Sequence, residues 1–107
     1  MIAFINCFTV PEGREEEFLD HWTEVNHYMA AKAGYVDHAL HRAADGSATY
    51  RFVNVAHWES AEAWRAAHDD GFRTLMRQPH WHDITSTPGL YDAEPVHAGS
   101  AESRRDA

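Results

Sequence analysis

A chain of 107 residues with 44% hydrophobic content has room for one compact domain and not for two. Seventeen Asp and Glu against nine Lys and Arg give a net charge of -8, and the basic residues form no patch, which excludes nucleic acid and an anionic membrane surface as expected partners. The longest apolar run, MIAFINCFTV, is too short to span a bilayer and lacks a signal peptide's charged lead-in and cleavage site, so the expected location is cytoplasmic.

In chain order, IAFINCFTV (residues 2 to 10) is rich in β-branched and aromatic types and reads as a strand, closed by PEG. Its lone cysteine, Cys7, has no partner for a disulfide and no basic neighbour, and is expected as a small core residue. From Arg14 the spacing of Phe18, Trp22, Val25 and Met29 predicts a helix, with Glu15, Glu16 and Glu17 favourably placed in its first turn and Gly34 as its stop.

Residues 35 to 44 and 48 to 58 predict two strands joined by a hairpin at Asp45-Gly46-Ser47. Ser60 suits the cap of a helix running to about His68, and a second short helical piece through Phe72, Leu75 and Met76 is expected to end before Pro79. A last strand is expected from Ile84 to Glu94, interrupted at Pro88-Gly89. The domain is therefore expected over residues 1–95, with 96–107 as a disordered polar tail.

This β-α-β-β-α-β order predicts an α+β, ferredoxin-like protomer: a four-stranded antiparallel sheet with its helices on one face. Alternation places Ile2, Phe4 and Phe8 on one side of the first strand and Ala3, Ile5 and Cys7 on the other, while Phe52, Ala56 and Trp58 oppose Val53 and Val55 in the third. Both faces are apolar. Helices cover only one of them, and a chain this small buries only about 65% of its unfolded surface, so a homodimer is expected.

Two amides interrupt the apolar pattern. Asn54 shares a strand face with Trp58, and Asn6 shares one with Phe4 and Phe8. A buried amide without a partner costs roughly 1–3 kcal/mol, so such residues suggest a site unless neighbouring backbone satisfies them. His68, one helical turn after Trp64, is a candidate proton acceptor, with the alternative that it is a half-exposed helix-end histidine. His80, His82 and Asp83 lie close enough in sequence to share a metal, but loop histidines more often meet solvent, so no metal site is expected there; His38 and His41 have opposite strand parity.

INCFTVPEGREEEF, Ala33-Gly34-Tyr35, RFVNVAHWES, AEAWRAA and PGLYD together resemble the antibiotic biosynthesis monooxygenase family, from about Ile2 to Glu94. The resemblance implies a dimeric α/β barrel in which each subunit encloses a pocket between sheet and helices. It further implies oxidation of a polycyclic phenol or anthrone to a quinone with O2 and no cofactor. Asn54 and Trp58 match an Asn and a Trp that contact substrate in the best-understood type. Trp64 stands where that type has a Tyr, and an indole cannot act as a phenolic acid or base. Arg77 matches a further Arg with a one-residue offset. The expected catalytic set is thus Asn54, Trp58 and His68, with Trp64, Arg77, Asn6 and Phe52 contacting substrate.

Without the family, the absence of GxGxxG, P-loop, CxxC or an established metal signature leaves an oxidation dependent on the substrate's own electrons or on a cofactor bound without a motif. Haem degradation on the same barrel is one alternative. Asn6 matches the Asn implied by that resemblance, but Ala67 and Met76 stand where a Trp and a His are implied. A non-catalytic dimer binding a hydrophobic small molecule is the other.

Overall fold

The computed structural model describes residues 1–101; part of the expected tail, residues 102–107, lies outside the described residues. Four strands, β1 (Ile2–Thr9), β2 (Tyr35–Arg42), β3 (Phe52–Trp58) and β4 (Thr85–Asp92), form one antiparallel sheet in the order β2-β3-β1-β4. Three helices, α1 (Glu15–Ala30), α2 (Ala61–Ala67) and α3 (Asp70–Met76), and a 3-10 turn at Pro79–Trp81 complete the ferredoxin-like arrangement.

Helix α1 buries the predicted stripe: Phe18 and Met29 are buried, and Trp22 and Val25 are half-buried. Burying a side chain of this size contributes about 1.5–3 kcal/mol. Phe18 stacks on Phe52 with centroids 4.7 Å apart and meets Trp81 edge-on at 6.0 Å. Together with Phe8 these form one hydrophobic cluster, while Met29, Ala56, Trp58 and Ala67 form a second. The chain leaves α1 through Gly34, whose φ of 88° is readily adopted only without a side chain, and an added Cβ there would also collide with Ala63.

Several details differ from the sequence-based expectations. Strand β4 is continuous through Pro88-Gly89, because it is an edge strand and proline's missing N–H need not break the ladder to β1. The β2-β3 connection is longer than a tight hairpin, spanning residues 43–51, with Asp45 accepting from the backbone N–H and hydroxyl of Ser47 and Ala43 bonded to Arg51 at its base. Cys7 belongs to neither core cluster; it is half-buried on the sheet face away from the helices, opposite Val53 and Thr87. On that face, Ala3, Ile5, Val53 and Val55 have no helix over them, and His57 pairs with Asp37 at 2.6 Å. Among the described residues, no helix is long and apolar enough to cross a membrane.

The two short helices are fixed by capping. The Ser60 hydroxyl accepts the Ala63 N–H at 3.0 Å, and Asp69 accepts the Phe72 N–H at 3.0 Å. Asp69 also accepts the Tyr28 hydroxyl at 2.7 Å and Lys32 Nζ at 2.7 Å, binding α3 to α1. A Cβ on Gly71 would displace Tyr28 from this contact.

Lys32 above all, then the Phe72 N–H and Tyr28, hold the Asp69 carboxyl well below the usual carboxylate range. The unfolded chain takes up that proton near pH 4, the folded chain only at much lower pH. The stabilisation is therefore present above about pH 4 and is lost as the pH falls further. Asp69→Asn, which keeps a capping acceptor but removes the charge, should lower Tm at neutral pH, and its gap from wild type should close below about pH 4. Calorimetric scans of both proteins across that range check this.

Candidate active site

The amides occupy the seam between the two hydrophobic clusters. Along β3 the helix-facing order is Phe52, Asn54, Ala56, Trp58, and along β1 it is Phe8, Asn6, Phe4, so each strand passes from one cluster to the other through an Asn. The register pairs Asn6 directly with Asn54, which brings their Cβ atoms to roughly 5 Å. Both amide carbonyl oxygens are buried without a hydrogen-bond partner, and Asn54 is only 6% exposed.

Between sheet and helices at this seam is a cavity of about 250 Å³. Its floor includes Phe4, Asn6, Asn54, Ala56 and Trp58 from the sheet, with Ser86 and Pro88 at the β4 side. The helices contribute Trp22, Asn26 and Met29 from α1, Trp64 from α2, and Phe72 and Met76 from α3. The lining is mostly apolar, with few polar groups, which is the usual composition of a small-molecule site.

His68 follows α2 and lines the cavity among aromatic rings: Trp64 at 4.3 Å, Phe72 at 4.6 Å and Phe4 at 6.4 Å between centroids. Its Nδ1 lies 2.6 Å from the Trp64 carbonyl oxygen. A carbonyl oxygen only accepts, so Nδ1 carries the proton and the neutral ring has its lone pair on Nε2. The indole Nε1 atoms of Trp64 and Trp81 are also buried without partners, adding two N–H donors to the lining side chains.

Of the residues proposed from sequence, Asn6, Asn54, Trp58, Trp64 and His68 are brought together around one cavity. Phe52 and Arg77 do not line it. Phe52 is 1% exposed beneath Phe18, supporting the floor from within one cluster, and Arg77 is the exposed cap that follows α3, where its neighbour Met76 takes the inward position. The His80-Trp81-His82-Asp83 segment divides: His80 stacks on His21 at 3.3 Å, Asp83 pairs with Arg14 at 2.9 Å, and Trp81 enters the core and the cavity wall. Among the described residues, no group of three or more His, Cys, Asp or Glu is arranged to hold a metal ion.

Sequence reasoning missed Trp81, Asn26 and Tyr35. Trp81 was hidden within a histidine-rich loop, and Asn26 within the polar part of the α1 pattern. Tyr35 has the wrong parity for a regular strand: a register shift between Tyr35 and Asp37 makes Val36 an extra residue and turns Tyr35 toward the cavity.

The antibiotic biosynthesis monooxygenase family model matches residues 1–84. Among solved structures, a candidate monooxygenase from Shewanella loihica PV-4 is 30% identical, with a TM-score of 0.72 over 89% of this chain and 95% of that one. SnoaB, a cofactor-independent oxygenase from Streptomyces nogalater, is 29% identical, with a TM-score of 0.74 over 89% of this chain and 94% of that one. The haem-degrader MhuD from Mycobacterium tuberculosis, with two haems in its active site, shares the fold at 22% identity, with a TM-score of 0.67 over 94% of this chain and 100% of that one. No curated protein matches the chain.

The orphaned Asn54 oxygen carries a desolvation cost of about 1–3 kcal/mol. Asn54→Leu, close in size and free of that cost, should leave the unfolding free energy unchanged or raise it by up to about 1–3 kcal/mol in urea denaturation. A clear loss of stability would mean that the amide makes a native interaction.

Proposed function

The chain belongs to the antibiotic biosynthesis monooxygenase family, and we propose that it is a cofactor-independent oxygenase converting a polycyclic phenol or anthrone to a quinone with O2. The observation that carries this reading is the pair of facing amides, their carbonyl oxygens buried without partners, in an aromatic-walled cavity. Buried amides with free hydrogen-bonding capacity suit a flat apolar molecule bearing oxygen, and N–H donors in a dry site stabilise a developing enolate far better than water-exposed ones.

His68 Nε2 takes a proton from the enolic O–H, leaving an electron-rich anion held by the Asn54 amide and the indole N–H of Trp58. That anion transfers one electron to O2. The substrate radical and superoxide then join through a new C–O bond, giving a peroxide anion. Loss of the remaining hydrogen on that carbon, with O–O cleavage, closes the second C=O bond and releases water. Overall, a CH2 group and O2 become C=O and H2O, so the substrate supplies every electron. SnoaB, a cofactor-independent oxygenase, lends support as a similar protein. Haem degradation is less well served: Ala67 is packed in the core and Met76 adds a thioether, where the resemblance implies Trp and His.

The functional unit in this reading is a homodimer, joined through the apolar sheet face bearing Ile5, Cys7, Val53 and Val55. Light scattering at micromolar concentration should give about twice the 12.2 kDa chain mass. A stable monomer would contradict the barrel.

Asn54→Ala should lower turnover roughly 10- to 1000-fold with little change in KM, because the lost hydrogen bond strengthens as charge builds. Trp58→Phe keeps the wall, removes the N–H and should also slow turnover. Oxygen-electrode assays with an anthrone or naphthol, without added flavin or iron, check both variants. Unchanged rates would sink the assignment, and wild-type binding without oxygen uptake would indicate a carrier.

A further inference from the structure

The mechanism gives His68 the role of base but leaves open what protonates the departing oxygen, since Trp64 has no phenolic group. Tyr35 does. In a regular strand, residues three apart face opposite sides, but the bulge at Val36 places Tyr35 opposite Trp58 and His38 opposite Ala56, on the same helix-facing side. The Tyr35 hydroxyl hydrogen-bonds His38 Nδ1. Its ring meets Trp58 edge-on, with centroids 5.3 Å apart.

This pair bridges the cavity and bulk water. Tyr35 lines the cavity, while His38 is exposed. Asn26 of α1, itself in the lining, places Nδ2 3.3 Å from His38 Nδ1, and Trp22 borders the imidazole at 5.5 Å. Burial pushes the Tyr35 phenol up, opposed by a hydrogen bond from Asn26 and reinforced by Asp37, so the hydroxyl keeps its proton at neutral pH. The pair also stands apart from His68. Tyr35 is on β2, whereas His68 packs over Phe4 of β1, two strands away and about 10 Å across the sheet.

We propose that Tyr35 is the general acid of the reaction, protonating the departing oxygen and regaining its proton from solvent through His38. This inference rests on the oxygenase reading. His68 first returns its proton to the peroxide anion, giving a hydroperoxide. Neutral again, it removes the hydrogen left on that carbon. The C–H electron pair becomes the second bond of the carbonyl as the O–O bond breaks, and the departing hydroxide takes the Tyr35 proton and leaves as water. The resulting Tyr35 phenolate receives a proton from His38, which is recharged from water, while His68 loses its proton to solvent. O2 is the only oxidant required.

The test uses full-length protein with an anthrone and O2. Tyr35→Phe should lower kcat roughly 100-fold or more, the usual scale for losing a general acid, and should release organic hydroperoxide detectable in the medium. His38→Ala should lower kcat with little change in KM, and millimolar imidazole should restore it, whereas imidazole should not rescue Tyr35→Phe. A merely structural role for the pair predicts neither hydroperoxide release nor imidazole rescue. Circular dichroism establishes that both variants are folded; if His38→Ala is misfolded, His38→Ser, which also vacates the ring's place, replaces it, with the same rescue expected. Wild-type kcat in both variants, or a slow folded His38 variant that imidazole does not rescue, overturns the relay alone. Wild-type protein that binds the anthrone without consuming O2 overturns the oxygenase reading, and the relay falls with it.

Discussion

The antiparallel register of β1 and β3 is the constraint on which the site depends. It places Asn6 opposite Asn54 and Phe8 opposite Phe52, so the two amides on the floor of the cavity meet where the two hydrophobic clusters separate. A shift of one residue would set Asn6 opposite Val53 or Val55 and leave the two amides on opposite faces of the sheet. The register is fixed by the apolar side chains on either side of the amides. The same residues that fold the sheet therefore place its least favourable buried groups side by side.

Those groups are costly in the free protein, where their buried carbonyl oxygens meet no hydrogen-bond partner. The cavity exists because the helices are held off the seam rather than collapsed onto it. Asp69 fastens α3 to α1 through Tyr28 and Lys32, and Ser60 starts α2 so that Trp64 and His68 reach over Phe4. The His68 tautomer follows from its bond to the Trp64 carbonyl. Helix caps and tethers on the outer layer thus determine which atoms face the inside.

Much of this was legible from local pattern. The alternation in β1 and β3 revealed the shared face of Asn54 and Trp58, and the spacing of Phe18, Trp22, Val25 and Met29 gave the inward stripe of α1. What escaped depended on partners far away in sequence. The Val36 bulge appears only when β2 is paired with β3, so strand alternation alone does not bring Tyr35 to the cavity side. Pro88 read as a break because its edge position is set by strand order. Arg77 was proposed from an offset match, yet the helical turn gives the inward place to Met76. Phe52 has the correct face but is covered by Phe18, which no strand pattern reveals.

The central claim is that the facing amides hold the oxygen of a flat aromatic molecule. A crystal structure of the protein with 2-naphthol bound under anaerobic conditions tests it most directly. The account predicts the rings in the cavity, over Trp58 and beside His68, with the hydroxyl oxygen within about 3 Å of an amide of Asn54 or Asn6. A naphthol seated elsewhere, or one in the cavity with its hydroxyl turned away from both amides, would contradict it.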